Sequence, residues 1–119
     1  NEGFSLKAKV SNYKLKAWHH RQLNWLNTGI LEIEDHISGN FKSADSYLHL
    51  HPNCRIVSKG KGEWIFQKGD LEISLKFSGA EARIDESYYC PEFYERIKNK
   101  VVRWTLTKGQ KLRYTIQVI

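Results

Sequence analysis

Apolar and polar residues alternate along most of this chain in short runs separated by turn residues. Phe4, Leu6, Ala8 and Val10 interleave with Ser5, Lys7 and Lys9, and Ser11-Asn12 reads as a turn. Tyr13, Leu15 and Ala17 then alternate with Lys14, Lys16 and Trp18; Leu23 and Trp25 follow, and Asn27-Thr28-Gly29 punctuates. Leu31, Ile33, Asp35 and Ile37 share one face of the next run, with Glu32 and Glu34 on the other, before Ser38-Gly39-Asn40 turns the chain. Tyr47 to His51 reads as a strand closed by Pro52-Asn53. Arg55 to Ser58, Trp64 with Phe66, and Ala82 with Ile84 are shorter signals of the same kind. The cleanest half-buried strand sets Leu71, Ile73, Leu75 and Phe77 against Glu72, Ser74 and Lys76. Near the end, Val102, Trp104 and Leu106 lie opposite Arg103 and Thr105, and Lys108-Gly109-Gln110 turns into Leu112, Tyr114, Ile116 and Val118.

Side chains of a strand point alternately to its two faces, so a period of two marks strands with one buried side. Such runs, with turns every eight to twelve residues, predict an all-β antiparallel sandwich or barrel. One short helix is expected at most, over Pro91 to Asn99, where Pro91 suits a first helical turn and Glu92, Glu95, Arg96 and Lys98 follow.

The length of 119 residues suits one domain with a real core. Aromatic residues make up 13% of the chain, which leans the composition further towards β structure. No stretch reaches the roughly 20 apolar residues that would span a bilayer as a helix. There is no Met, and Asn1-Glu2-Gly3 does not open a signal peptide, so the expectation is a processed or excised piece of a longer protein. The net charge of +6 is densest in residues 1–21, where five Lys and Arg face Glu2 alone. Such an excess suits an anionic glycan, nucleic acid or a membrane surface, although scattered solvated lysines would look the same.

Several residue sets bear on chemistry. All five histidines, His19, His20, His36, His49 and His51, fall in the first half. His49 and His51 are two apart, so on one strand they would share a face, and they are the weak candidates for a zinc site; no cofactor is otherwise expected. Asp35 falls on an apolar face, where a carboxylate needs a partner. Arg21 or His20 on the preceding run would supply it, and an ion network that fixes strand register is the favoured role. Lys14, Lys16 and Trp18 place cations beside an indole, a combination that can stack on a sugar ring and pair with uronate or sulfate. Single-stranded nucleic acid could use the same pattern. Glu32 and Glu34 share one face of a strand, which is most simply a solvated face. Cys54 and Cys90 lack zinc-ribbon or redox-pair spacing, and either one disulfide or two buried thiols would fit. No nucleophile elbow and no glycine-rich phosphate loop occurs.

Four segments together resemble one family. His19-His20-Arg21, the run Leu31 to Asp35 with Ile37-Ser38-Gly39, Leu48-His49-Leu50-His51-Pro52, and Tyr88 to Tyr94 are similar in order and spacing to the late motifs of heparinase II/III-like polysaccharide lyases. Tyr94 stands where that family often carries Gly. The resemblance implies an antiparallel β-sandwich that packs on an N-terminal α/α toroid in the parent enzyme. It also implies β-elimination beside a uronate in an anionic polysaccharide. The motifs that carry that catalysis have no match here, so no catalytic residue transfers.

The resulting expectation is a single domain over residues 1–119, the C-terminal sandwich of such a lyase, without turnover by itself. Glycan contact is expected at Lys14, Lys16, Trp18, His19, His20, Arg21, His49 and His51. The partners would be an anionic polysaccharide and the toroid, with nucleic acid the less favoured ligand and the periplasm or cell envelope the preferred compartment. The alternative is a free-standing module that binds anionic polysaccharide or nucleic acid.

Overall fold

The computed structural model describes residues 4–12, 17–26, 29–89 and 96–119. They form ten strands: β1 (Phe4–Asn12), β2 (Ala17–Trp25), β3 (Ile30–Gly39), β4 (Ser43–His49), β5 (Arg55–Lys59), β6 (Glu63–Lys68), β7 (Leu71–Ser78), β8 (Ala82–Tyr89), β9 (Ile97–Thr107) and β10 (Lys111–Val118). No helix occurs among the described residues. A seven-stranded sheet runs in the order β1-β2-β3-β10-β7-β6-β5, and a three-stranded sheet in the order β4-β9-β8. Every pairing is antiparallel. The expected all-β sandwich is the observed architecture.

The two sheets bury the apolar halves of their alternating strands against each other. Val102, Trp104 and Leu106 of β9 are almost wholly buried. Facing them from the larger sheet are Ile33, Leu75, Leu112, Tyr114, Trp64 and Phe66. Trp104 is the centre of this core: its ring stacks on Tyr114 at 4.8 Å and meets the edge of Phe77 at 5.8 Å. Stacked and edge-to-face arrangements are the favoured aromatic geometries, and they add to the area buried. The indole N–H of Trp104 meets no hydrogen-bond acceptor among the described residues, so packing alone holds it.

Strand β10 enters the larger sheet between β3 and β7, placing the end of the chain at the middle of the sheet. Edge strand β5 carries a register shift between Ile56 and Ser58, with Val57 half exposed. A bulge on an edge strand twists its unpaired backbone away from further strand addition. At Gly79, just after β7, the chain turns with φ +99°, and a Cβ there would lie 1.8 Å from the Lys111 carbonyl oxygen.

Three local expectations need correction. Ser11 and Asn12 do not turn the chain, because β1 runs through both and pairs them with Trp18 and Ala17. The run expected from Tyr47 to His51 starts earlier and ends earlier, at Ser43 and His49, since pairing with β9 stops at His49–Val101. The end of the expected helix is strand: Ile97, Lys98 and Asn99 pair with Tyr89, Tyr88 and Ser87. Cross-strand bonding satisfies their backbone and overrides a weak helical preference. Arg96 precedes β9 without belonging to any element, and residues 91–95 of that expected helix lie outside the described residues.

Candidate functional site

Antiparallel pairing of β2 with β3 sets Arg21 opposite Asp35 and His20 opposite His36. Neighbouring positions point to opposite faces, so these two pairs lie on opposite sides of the sheet. Arg21 and Asp35 face the interior of the sandwich, and His20 and His36 face outwards.

On the inner side, Asp35 is wholly buried. Arg21 donates to it as a fork, Nε to Oδ1 at 2.7 Å and Nη2 to Oδ2 at 2.8 Å. Ser46 of β4 donates to Oδ2 at 3.0 Å from the other sheet, and His19 Nε2 lies 3.3 Å from Oδ1. The carboxylate therefore joins three strands and both sheets. Burial alone would push the Asp35 carboxyl up. The hydrogen bonds and charge of Arg21, with Ser46 and His19, outweigh burial and hold it below its usual range. The Arg21 guanidinium is raised in turn, chiefly by its hydrogen bond to Asp35. Tyr114 is pushed up to about 12, first by burial. The Arg21–Asp35 partnership expected from the sequence is present. His20, the other partner considered, points away from it.

The outer side holds a different set. The rings of His20 and His36 stack at 4.4 Å with planes 2° apart, and His20 Nε2 lies 3.0 Å from Ser38 Oγ. Lys111 of β10 is the next register partner of His36, and Arg113 that of Glu34. Glu34 sits between the two cations, 2.9 Å from Arg113 Nε and 3.7 Å from Lys111 Nζ. Trp18 is 42% exposed. It lies two positions before His20 and therefore on the same face. Asn24, Glu32, Glu34, Arg113 and Thr115 line a groove of about 340 Å³ at the end of this strip.

The glycan-contact residues expected from the sequence are thus not brought to one surface. Trp18 and His20 share the outer face, and His19 and Arg21 belong to the inner network. Lys14 and Lys16 lie outside the described residues. His49 closes β4 and His51 lies in the turn beyond, where its Nδ1 accepts from the Asn53 N–H at 3.1 Å. The two line the mouth of an apolar pocket of about 170 Å³ with Cys54, Phe66, Ile73 and Ile116. They do not form a two-apart pair on one strand. Among the described residues, no three His, Cys, Asp or Glu side chains are grouped to hold a metal. Cys54 is a half-buried thiol, pushed up by burial, and Cys90 lies outside the described residues.

Sequence reading missed Ser46, and it missed that His36, Lys111 and Arg113 join His20. Parity could have placed His36 beside His20 once the β2–β3 turn was known. Nothing local could have placed Lys111, because it depends on β10 inserting next to β3.

Residues 5–117 match the family described as Heparinase II/III-like, C-terminal.

The chain belongs to the heparinase II/III-like family.

Among solved structures, the Heparinase III-BT4657 gene product superposes with a TM-score of 0.84 at 16% identity, covering 100% of this chain and 20% of that one. The heparan sulfate lyase HepC from Pedobacter heparinus superposes with a TM-score of 0.81 at 12% identity, covering 99% of this chain and 20% of that one. At such identity the likeness is one of fold. This heparinase II/III-like chain spans about a fifth of the length of those two structures. No curated protein matches its sequence. No helix among the described residues is long and apolar enough to cross a membrane.

Proposed function

We propose that this chain is the C-terminal β-sandwich of a polysaccharide lyase, which it serves as a non-catalytic part packed on an N-terminal α/α toroid. The observation that carries the reading is the family match across residues 5–117 of 119, together with two structural neighbours named as a heparinase III and a heparan sulfate lyase. The parent enzyme would act on a uronate-containing anionic polysaccharide.

Elimination there requires three things at one point: neutralisation of the uronate, a base for the C5 proton and an acid for the leaving oxygen. As the proton leaves C5, its electron pair forms the new double bond and the C4–O bond breaks. In this chain the candidate groups are divided. His19 and Arg21 are tied to buried Asp35, whereas His20 and His36 lie on the opposite face. Tyr114 is buried and keeps its proton far above neutral pH. His19 and Arg21 are thus held by the buried carboxylate, which supports a supporting role for the inner network.

The test compares the 119-residue chain with a longer protein expressed from the same reading frame, each incubated with heparan sulfate and with a polyuronate. Ultraviolet absorbance of the unsaturated uronate product reads turnover. Turnover by the longer protein alone is the expected result. Turnover by the short chain would overturn the non-catalytic role, and its absence from both would favour a free-standing binding module.

A further inference from the structure

The outer face of the seven-stranded sheet carries a set of side chains that the supporting role leaves unused. Across β2, β3 and β10 the register forms two adjoining rows: His20, His36 and Lys111, then Gln22, Glu34 and Arg113. On β1, Lys9 and Lys7 occupy the register positions next to His20 and Gln22. A solvated face needs polar residues, but two features here go beyond that need. The imidazoles of His20 and His36 lie parallel at 4.4 Å, which sets two rings with N–H donors side by side on one face. Beside them, Trp18 leaves 42% of its surface in water.

The charges on this face are arranged as well as present. Glu34 holds Arg113 at 2.9 Å and Lys111 at 3.7 Å, which fixes two long side chains side by side. Lys111 and Arg113 are themselves 58% and 68% exposed, so their remaining N–H groups stay available to solvent or ligand. The groove beyond them adds Asn24, Glu32 and Thr115. Carboxylate oxygens accept from sugar hydroxyls, while amide and guanidinium N–H groups donate to them.

We propose that this outer face binds an anionic saccharide. Trp18 lies against a pyranose ring. His20, His36 and Lys111 take its carboxylate or sulfate group, and Glu34, Arg113 and Asn24 take neighbouring hydroxyls. The ligand class rests on the polysaccharide reading above; the placement rests on this face. Polyphosphate backbones fit less well, because Glu32 and Glu34 set two carboxylates along the groove where phosphates would run. Neutral glucans match the hydroxyl-binding groups and leave the imidazole row without its anion.

Two-dimensional NMR of the 119-residue chain, titrated with a heparin oligosaccharide, a uronate oligomer, a neutral dextran and a DNA single strand, tests the proposal at low and raised salt. Shifts are expected at Trp18, His20, His36 and Arg113 with the two anionic saccharides, and part of them should survive raised salt because stacking is not screened. Trp18→Ala should weaken saccharide binding about ten-fold and Lys111→Gln several-fold, with thermal midpoints of both variants near that of the parent chain. Unchanged affinity in both variants, shifts centred on Tyr47 and His49, tighter binding of DNA, or no shift with any saccharide would each overturn it.

Elimination activity of the longer protein is scored separately. Saccharide binding at this face without elimination removes the lyase reading and keeps the site. Elimination with no binding here removes the site and keeps the lyase.

Discussion

Arg21 and Asp35 are direct register partners across β2 and β3, and the guanidinium fork closes on both carboxylate oxygens at 2.7 and 2.8 Å. The two partners are not equivalent. Asp35 has no exposure, while about a third of the Arg21 side chain reaches solvent.

That asymmetry sets the cost of losing either one. Arg21→Gln leaves a wholly buried carboxylate without its cation and should lower unfolding free energy by about 3–5 kcal/mol. Asp35→Asn leaves a cation that can turn into water, while the new amide can still accept from Ser46. Its expected cost is about 1–3 kcal/mol. Urea melts of the two variants check the order, and Asp35→Asn costing more than Arg21→Gln would contradict it.

The pH dependence of stability follows from the same group. The folded state holds the Asp35 carboxyl below its usual value, so acid protonates the unfolded chain first. This contribution is complete above the unfolded carboxyl value of about 4 and is lost as pH falls through the lower folded value. Tyr114 works in the other direction. Its folded value of about 12 lies above the ordinary phenol, so its contribution is complete at neutral pH and fades as pH rises from about 10 towards 12. Thermal melts across pH should show Asp35→Asn flattening the acid limb and Tyr114→Phe flattening the alkaline limb. An unchanged slope in either variant would refute the corresponding assignment.

Gly79 is the backbone position least able to accept a side chain. It combines φ +99° with a Cβ position 1.8 Å from the Lys111 carbonyl oxygen and 2.9 Å from the carbonyl carbon. Both neighbouring atoms are backbone, so β10 itself would have to move. Gly79→Ala should cost about 3 kcal/mol or more. Gly69→Ala, whose Cβ would meet nothing within 4 Å, carries only the strain of its own φ of +60° and should cost less. Denaturant midpoints of the pair measure the difference.

Much of this architecture was legible from alternation. The shared face of Ile33 and Asp35 and the apolar row Val102-Trp104-Leu106 appear in the structure as read. The need of Asp35 for a cation pointed to Arg21, because a buried carboxylate without one is too costly to keep. Local reading failed where pairing outranked propensity: at Ser11-Asn12, and at Ile97 to Asn99. It also grouped His19 and Arg21 with Trp18 and His20, although adjacent strand residues face opposite ways.

The sequence by itself determined the all-β class, the buried parity of strands such as β3 and β9, and the family, because a two-residue period and short motifs are local properties. The tertiary structure alone decided which strands became neighbours. By inserting β10 beside β3 it set Lys111 next to His36 and Arg113 next to Glu34. By laying β4 across the larger sheet it brought Ser46 to Asp35. These contacts join residues far apart in the chain, and their register follows from how two whole faces pack, which no local window of residues records.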